Sequence, residues 1–248
     1  MNSATPHFTI VTVTYNCEKL IEKTLQSVLS QQMVDYEYIL IDGQSTDSTM
    51  QIVDKYRNRI TTVVSEPDSG IYDAMNKAVR LAQGKWVLFL NAGDLFCSKT
   101  ILTTVYQATK SINAEVVYGD IKIWKGKKLT LKKAKEPCNI QRMHFCHQSA
   151  FTKRSLLTAS PFNLKYKFSA DFDFYKKCYY KSTVFVHISH PIAIYDMNGL
   201  SNQQRVRGLN ENLKIVLHQD KGFKKLLFLV KLLFVINRVR CSNLLKST

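Results

Sequence analysis

The sequence predicts an α/β fold: a mostly parallel, doubly wound sheet flanked by helices and followed by an amphipathic helical tail. Three observations predict it. Short apolar or β-branched runs alternate four times with helically spaced segments between residues 8 and 90. Each of those runs stops at a polar turn. Residues 224–240, KKLLFLVKLLFVINRVR, repeat a cation at heptad spacing along an otherwise apolar helix.

The elements follow in order. Phe8 to Thr14, FTIVTVT, is rich in β-branched residues and reads as the first strand, with Tyr15-Asn16-Cys17 as its turn. Residues 18–31 space Leu20, Ile21, Leu25, Val28 and Leu29 as one helix face. A second strand at 36–41 runs into Asp42-Gly43-Gln44-Ser45-Thr46-Asp47, a turn of helix-capping residues, and 49–57 is helical. A third strand at 60–64 ends at Glu66-Pro67-Asp68-Ser69-Gly70. Residues 71–82 carry Ile71, Ala74, Met75, Ala78 and Ala82 on one face, and Gly84 stops the helix. Residues 86–90 form an unbroken apolar run, the pattern of a strand buried on both faces, and halt at Asn91-Ala92-Gly93-Asp94. Residues 98–108 are again helical. The second half is less regular. An apolar run at 114–118 ends at Gly119-Asp120, 121–135 reads as a lysine-rich hairpin or excursion, and strands are expected at 184–188 and 192–195.

Composition narrows the partners. The 248 residues carry a net charge of +16, which favours polyanions: nucleic acid, anionic lipid or phosphorylated substrates. The charge is clustered, with seven lysines and no acid at 122–135 and seven basic residues and no acid at 221–248. The six cysteines show no CxxC spacing and read as reduced thiols. No signal peptide is evident, and no apolar run reaches the ~18 residues of a spanning helix. The expected location is cytoplasmic, or peripheral on the inner face of the cytoplasmic membrane. Neither GxGxxG nor GxxxxGK[ST] occurs, which disfavours dinucleotide and P-loop chemistry.

Right-handed crossovers open the four turns on one sheet edge, the edge at which such sheets bind ligands. Asp42, Asp68 and Asp94 all lie there. One such aspartate reads equally well as a helix cap. Three together read as a site for a nucleotide, with a hard cation beside its phosphates.

These stretches resemble family 2 nucleotide-sugar glycosyltransferases of the GT-A fold, in particular the inverting enzymes that build bacterial O-antigen, colanic acid and similar surface polysaccharides. The resemblance spans roughly residues 8–201. It rests on Val13-Thr14-Tyr15-Asn16, on the Asp42 to Thr49 turn, on SEPDSGIYDAMNKA at 65–78, and on Leu90-Asn91-Ala92-Gly93-Asp94 at the metal-motif position. It implies that Thr14, Tyr15 and Glu18 line the base and ribose pocket. Asp42 would accept a hydrogen bond from the base, Asp68 and Lys77 would lie near the ribose and diphosphate, and Asp94 would ligate Mg²⁺ or Mn²⁺. The chain departs from the motif at Asn91, where an aspartate is usual, so Asn91 enters as a weaker metal ligand.

An inverting transfer needs a base opposite the leaving group. Ala170-Asp171 stands where the family has a Glu-Asp pair, which implies Asp171 as that base, with Asp173 as a rival on another helix face and a helix cap as the alternative for either. His147 and Gln148 are expected on the acceptor side. Cys138, His144, Cys146 and His147 do not match a zinc spacing.

The implied domain is 1–218, divided into a nucleotide-sugar half (about 1–120) and an acceptor half (about 121–218). Residues 219–248 form a basic amphipathic tail suited either to a membrane interface or to packing on the domain. The expected reaction moves a sugar, UDP-linked by the resemblance, to a lipid-linked glycan acceptor, a polyprenyl diphosphate oligosaccharide, at an anionic membrane surface. No specific nucleic acid is expected. A basic nucleic-acid-binding protein, a nucleotidyltransferase and a degenerate binding module stand as alternatives.

Overall fold

The computed structural model describes residues 5–32, 35–110, 112–125, 127–139, 144–197 and 199–244. Residues 1–4 and 245–248, at the ends of the domain and tail expected from the sequence, and Asn198 lie outside the described residues.

β1 (Phe8–Thr14) is buried along its whole length. α1 (Ile21–Leu29) buries Ile21, Leu25, Val28 and Leu29. It starts later than the spacing suggested, because the amides of Leu20 and Ile21 both donate to the Cys17 carbonyl and hold residues 18–20 in a turn. β2 (Tyr36–Asp42) pairs parallel with β1, from Phe8 against Tyr36 to Thr14 against Asp42. α2 (Thr49–Asp54) and a 3₁₀ turn (Arg57–Arg59) lead to β3 (Thr62–Ser65), parallel to β2. α3 (Ile71–Leu81) begins after Gly70, whose φ of 126° is a backbone setting that side-chain-bearing residues rarely adopt. β4 (Trp86–Phe89) returns parallel to β1 on its other side.

Alternate residues of these strands serve opposite layers. Ile10, Leu40 and Leu88 share a core with α1, whereas Val11, Ile39 and Val87 share one with α3. Gly84 lets β4 approach β1 closely: a Cβ there would sit 2.6 Å from backbone atoms of Phe8 and Thr9.

The second half makes the sheet mixed. β5 (Leu95–Phe96), a short strand without a sequence signal, precedes α4 (Ile101–Lys110). β6 (Val116–Lys125) runs straight through Gly119-Asp120, which the sequence suggested as its end. The pair forms a bulge instead, with register shifts against the neighbouring strand on both sides of Asp120. β7 (Lys128–Lys132) folds back on β6 as the expected lysine-rich hairpin. A 3₁₀ turn (His147–Ser149) leads to β8 (Ala150–Lys153), inserted antiparallel between β4 and β6. After α5 (Arg154–Ala159) and α6 (Ala170–Tyr180), β9 (Phe185–Tyr195) is one strand where two were expected, parallel to β6 and bulged near Pro191. It also pairs antiparallel with β5. The sheet order is β3-β2-β1-β4-β8-β6-β9-β5, with β7 on the free stretch of β6.

α7 (Leu200–Gln203), α8 (Arg205–Gln219) and α9 (Gly222–Leu244) close the chain. Phe228, Leu232 and Ile236 of α9 pack with Leu209, Ile215 and Val216 of α8 and Phe172 of α6 as a third core. At its corner the Lys176 ammonium meets Asp220 at 2.8 Å, both side chains under 5 % exposed, and the Tyr180 hydroxyl donates to the same carboxylate at 2.9 Å. Burial drives the Lys176 pKa down while Asp220 pulls it back.

Removing one member of a buried pair leaves the other charged and unsolvated. Asp220→Ala is expected to lower unfolding stability by about 3–5 kcal/mol. A loss below about 1 kcal/mol in urea titration would show that the pair does not hold α6 to α9.

Candidate active site

The carboxyl edge of β1 and β4, the first turn of α6 and the 3₁₀ turn at His147 surround a cleft of about 960 Å³. The turn after β1 lines it, through Tyr15, Asn16 and Cys17, and is tied to the turn after β2. Asn16, at φ 50°, accepts from the Thr46 amide at 2.9 Å, and its own amide donates to Ser45 Oγ at 2.8 Å.

Of the six residues expected around the nucleotide, Thr14, Tyr15 and Asp68 line this cleft. Tyr15 is exposed, and Thr14 Oγ1 is buried there without a hydrogen-bond partner. The other three build the frame rather than the wall. Asp42 is fully buried, and its carboxylate accepts from the Ser45 amide, the Ser45 hydroxyl and the Ser65 hydroxyl, bracing the β2 turn against β3. Glu18 accepts from the Ser48 amide at 3.1 Å and fixes the start of α2. The Lys77 ammonium donates to the Pro67 carbonyl at 2.6 Å and pairs with Glu66 at 2.8 Å, clamping the loop that carries Asp68.

Asp94 lies at the floor, 4 % exposed. Its Oδ1 accepts from the Asp196 amide at 2.9 Å and its Oδ2 from Gln148 Nε2 at 3.1 Å. Burial pushes its pKa up to about 7, against the pull of those hydrogen bonds and of His147. Asn91 beside it has a buried Oδ1 without a partner. Its Nδ2 lies 3.3 Å from His147 Nε2. A costly buried carboxylate and an orphaned amide oxygen on one cleft wall are hard oxygen donors, and they fit a divalent cation. Among the described residues, His, Cys, Asp and Glu side chains nowhere gather in threes to form a complete cage, so the remaining ligands would be water and the oxygens of a bound phosphate.

Asp171, in the first turn of α6, lines the same cleft. Its Oδ1 accepts from the Tyr72 hydroxyl at 2.8 Å and from the Phe172 amide at 2.9 Å, and its Oδ2 faces His147 Nδ1 at 3.1 Å. Burial alone would raise its pKa, but the hydrogen bonds from His147 and Tyr72 outweigh it and hold the carboxyl below its ordinary value. Asp173 turns away from the cleft. It is buried against α8, accepting from Gln219 Nε2 and pairing with Lys177 at 2.6 Å, which removes it from the acceptor side. His147 and Gln148 do line the cleft, and they bridge its walls: His147 joins Asn91 to Asp171, and Gln148 holds Asp94. Cys146 Sγ donates to Gln148 Oε1 at 2.8 Å, and His144 Nε2 accepts from the Cys138 amide, so these thiols and imidazoles serve separate contacts.

Sequence reasoning missed Tyr72 and Asp196. Tyr72 stood inside the longest matched stretch, two residues past Gly70, where the first turn of α3 meets the sheet edge. Asp196 had no such signal, because it follows a strand in the irregular half.

Two oppositely shifted carboxylates give a pH test. Between about pH 4 and 7 native Asp94 keeps a proton that the unfolded chain has lost, so its contribution lowers stability as pH rises through that window and is constant above it. Stability of metal-free protein minus that of Asp94→Asn is expected to fall across the window by an amount on the order of a few kcal/mol, and Mg²⁺ or Mn²⁺ to offset the fall near pH 8. A flat difference would mean that Asp94 is not desolvated.

Comparison with known proteins gives the family. Residues 9–177, from β1 to the middle of α6, match the family described as "Glycosyl transferase family 2". A PGL/p-HBAD biosynthesis glycosyltransferase of Mycobacterium tuberculosis is 32 % identical over 216 residues, covering 80 % of each chain. The putative teichuronic acid biosynthesis glycosyltransferase TuaG of Bacillus subtilis is 39 % identical over 97 residues, 38 % of each chain. Among solved structures, Staphylococcus aureus TarS 1–349 in complex with UDP superposes with a TM-score of 0.67 at 22 % identity, covering 91 % of this chain and 70 % of that one. A mannosyltransferase of Pyrobaculum calidifontis in complex with GDP-Man and Mn²⁺ gives 0.69 at 18 % identity, over 94 % and 70 %. These likenesses share the α/β sheet and its GT-A arrangement. With the family match running through both cleft walls, the chain is a glycosyltransferase and belongs to glycosyl transferase family 2.

Proposed function

We propose that the enzyme transfers a sugar from a UDP-linked donor to a lipid-linked glycan acceptor, with inversion at C1, in the synthesis of a bacterial surface polysaccharide. The observation that carries this reading is a pair of carboxylates lining one cleft: Asp94, near the orphaned Asn91 Oδ1, and Asp171, linked to Asn91 through His147. The named relatives act in surface-glycan synthesis, and TarS has been solved with UDP and with UDP-GlcNAc.

The donor nucleotide lies along Thr14, Tyr15 and Asp68, where Thr14 Oγ1 gains the partner it lacks. Asp94 and Asn91 Oδ1 would hold Mg²⁺ or Mn²⁺, which would supply positive charge beside the diphosphate. Asp171 is ionised at neutral pH, and its Oδ2 has one protein partner to the two on Oδ1. Oδ2 therefore has a lone pair for the acceptor hydroxyl. That proton passes to Asp171, the acceptor oxygen bonds to C1, and the C1–O bond breaks with its electron pair leaving on UDP. One in-line displacement inverts C1. His147 and Tyr72 hold the carboxylate in place and keep it charged before the acceptor arrives. The enzyme works at the cytoplasmic face of the inner membrane.

UDP release from a panel of UDP-sugars tests the reading. Metal-dependent release from one sugar is expected, lost in Asp94→Ala. Asp171→Asn is expected to keep UDP binding and lower transfer by about 10²–10⁴-fold. No release from UDP-, GDP- or dTDP-sugars, with no nucleotide binding in calorimetry, would contradict it.

Tyr72→Phe removes a hydrogen bond to the ionised form of Asp171, so the Asp171 pKa rises. The acid limb of kcat/KM is expected to move to higher pH. An unmoved limb, or one displaced downward, would take Asp171 out of the role of base.

A further inference from the structure

We propose that the outward face of α9 is a docking surface for a bilayer rich in anionic lipid. The helix has two apolar faces, and the protein covers only one. Phe228, Leu232 and Ile236, spaced by four, are buried against α6 and α8. Phe223, Leu227, Val230 and Phe234 follow one another around the opposite side and are 71 %, 51 %, 59 % and 68 % exposed. Leu226 and Leu233 widen the same stripe at 56 % and 49 %. Helical spacing makes these side chains contiguous, and a monomer in water rarely leaves a patch of that kind uncovered.

Charge selects the occupant. Lys224, Lys231 and Arg238 recur every seven residues along one margin of the stripe, and all are exposed. Residues 221–248 contain no aspartate or glutamate. A protein groove would call for mixed signs at the rim, whereas a border of one sign along the whole length matches a sheet of anionic headgroups. The cation positions also fix the orientation. If α9 crossed the bilayer, Lys231 would sit near its middle, at high cost. With the helix flat, all three stems lie along the apolar boundary and their charges reach the headgroups.

The inner face ties this surface to the chemistry. Phe172, next to Asp171, meets Phe228 edge-on with ring centroids 6.4 Å apart. Lys176 of the same helix lies 5.2 Å from the Phe228 ring centroid and pairs with Asp220 just before α9. Docking through the outer face therefore sets the height and tilt of the helix that carries Asp171. The proposal rests on the lipid-linked acceptor reading only for the use of such docking.

The test is co-sedimentation of the full chain with vesicles of equal parts phosphatidylglycerol and phosphatidylcholine, and with phosphatidylcholine alone. The parent is expected to bind the mixed vesicles more tightly. Phe223→Ser/Leu227→Ser/Phe234→Ser is expected to weaken binding to both by at least about tenfold. Lys231→Gln/Arg238→Gln is expected to weaken binding only to the anionic vesicles, by roughly fivefold per cation removed. Unchanged circular dichroism and unchanged UDP-sugar hydrolysis without lipid would show that both variants fold with an intact cleft. Failure of the parent to bind, or equal binding by parent and triple variant, would overturn the proposal. So would a parent dimer in sedimentation velocity that the triple variant dissolves, since a second copy would then cover the face. Vesicle binding without donor hydrolysis would leave the docking surface standing and remove the transferase reading, so the two failures are separable.

Discussion

The cleft depends on how two carboxylates are taken out of water. Burial alone would raise the pKa of both. Asp171 keeps its charge because Tyr72, His147 and the Phe172 amide all direct hydrogens at it. Asp94 receives fewer and weaker donors, and burial drives its pKa up to about 7. Unequal donor sets therefore push two like groups of one cleft in opposite directions. Such divergence assigns separate roles to similar side chains. In the proposed reaction Asp171 would take the proton, and Asp94 would be relieved by a cation.

Everything around these residues fixes them relative to one another. β1 and β4 are in parallel register, so their turns open side by side. β8 enters antiparallel beside β4 and brings the His147 turn to the same edge. α6 is held from behind by the Lys176–Asp220 pair. His147 spans the gap, touching Asn91 and Asp171. The residue that departs from the family's metal motif is thus also the one bonded to the histidine that meets Asp171. An aspartate there could not donate to an imidazole nitrogen, as the Asn91 amide does.

The parallel half was legible because each strand is a short apolar run closed by a turn of distinctive chemistry. The rest was less so, for reasons that lie outside any local window. Gly119-Asp120 has the composition of a turn, but the neighbouring strand decides that it is a bulge. β5 is two residues long and exists only because β9 lies beside it. Asp94 and Asp171 could be named from motif position, whereas the inward turn of Asp42 could not. A turn carboxylate can face a ligand or the hydroxyls of its own loop, and Ser45 and Ser65 claim this one. The tail shows the same limit. Its periodicity marked an amphipathic helix, yet the division into a face held by α8 and a face left open becomes visible only when α8 is in place.

In the proposed reaction one cleft holds the donor, with its cation beside Asp94 and its sugar toward Asp171. Anomalous scattering from Mn²⁺ in crystals grown with UDP tests this arrangement. One strong peak is expected, bonded to an Asp94 oxygen and to the diphosphate, with Asn91 Oδ1 alongside, the uracil against Tyr15, and Asp171 facing the open end of the diphosphate. A manganese peak away from Asp94, or UDP bound outside this cleft, would contradict it.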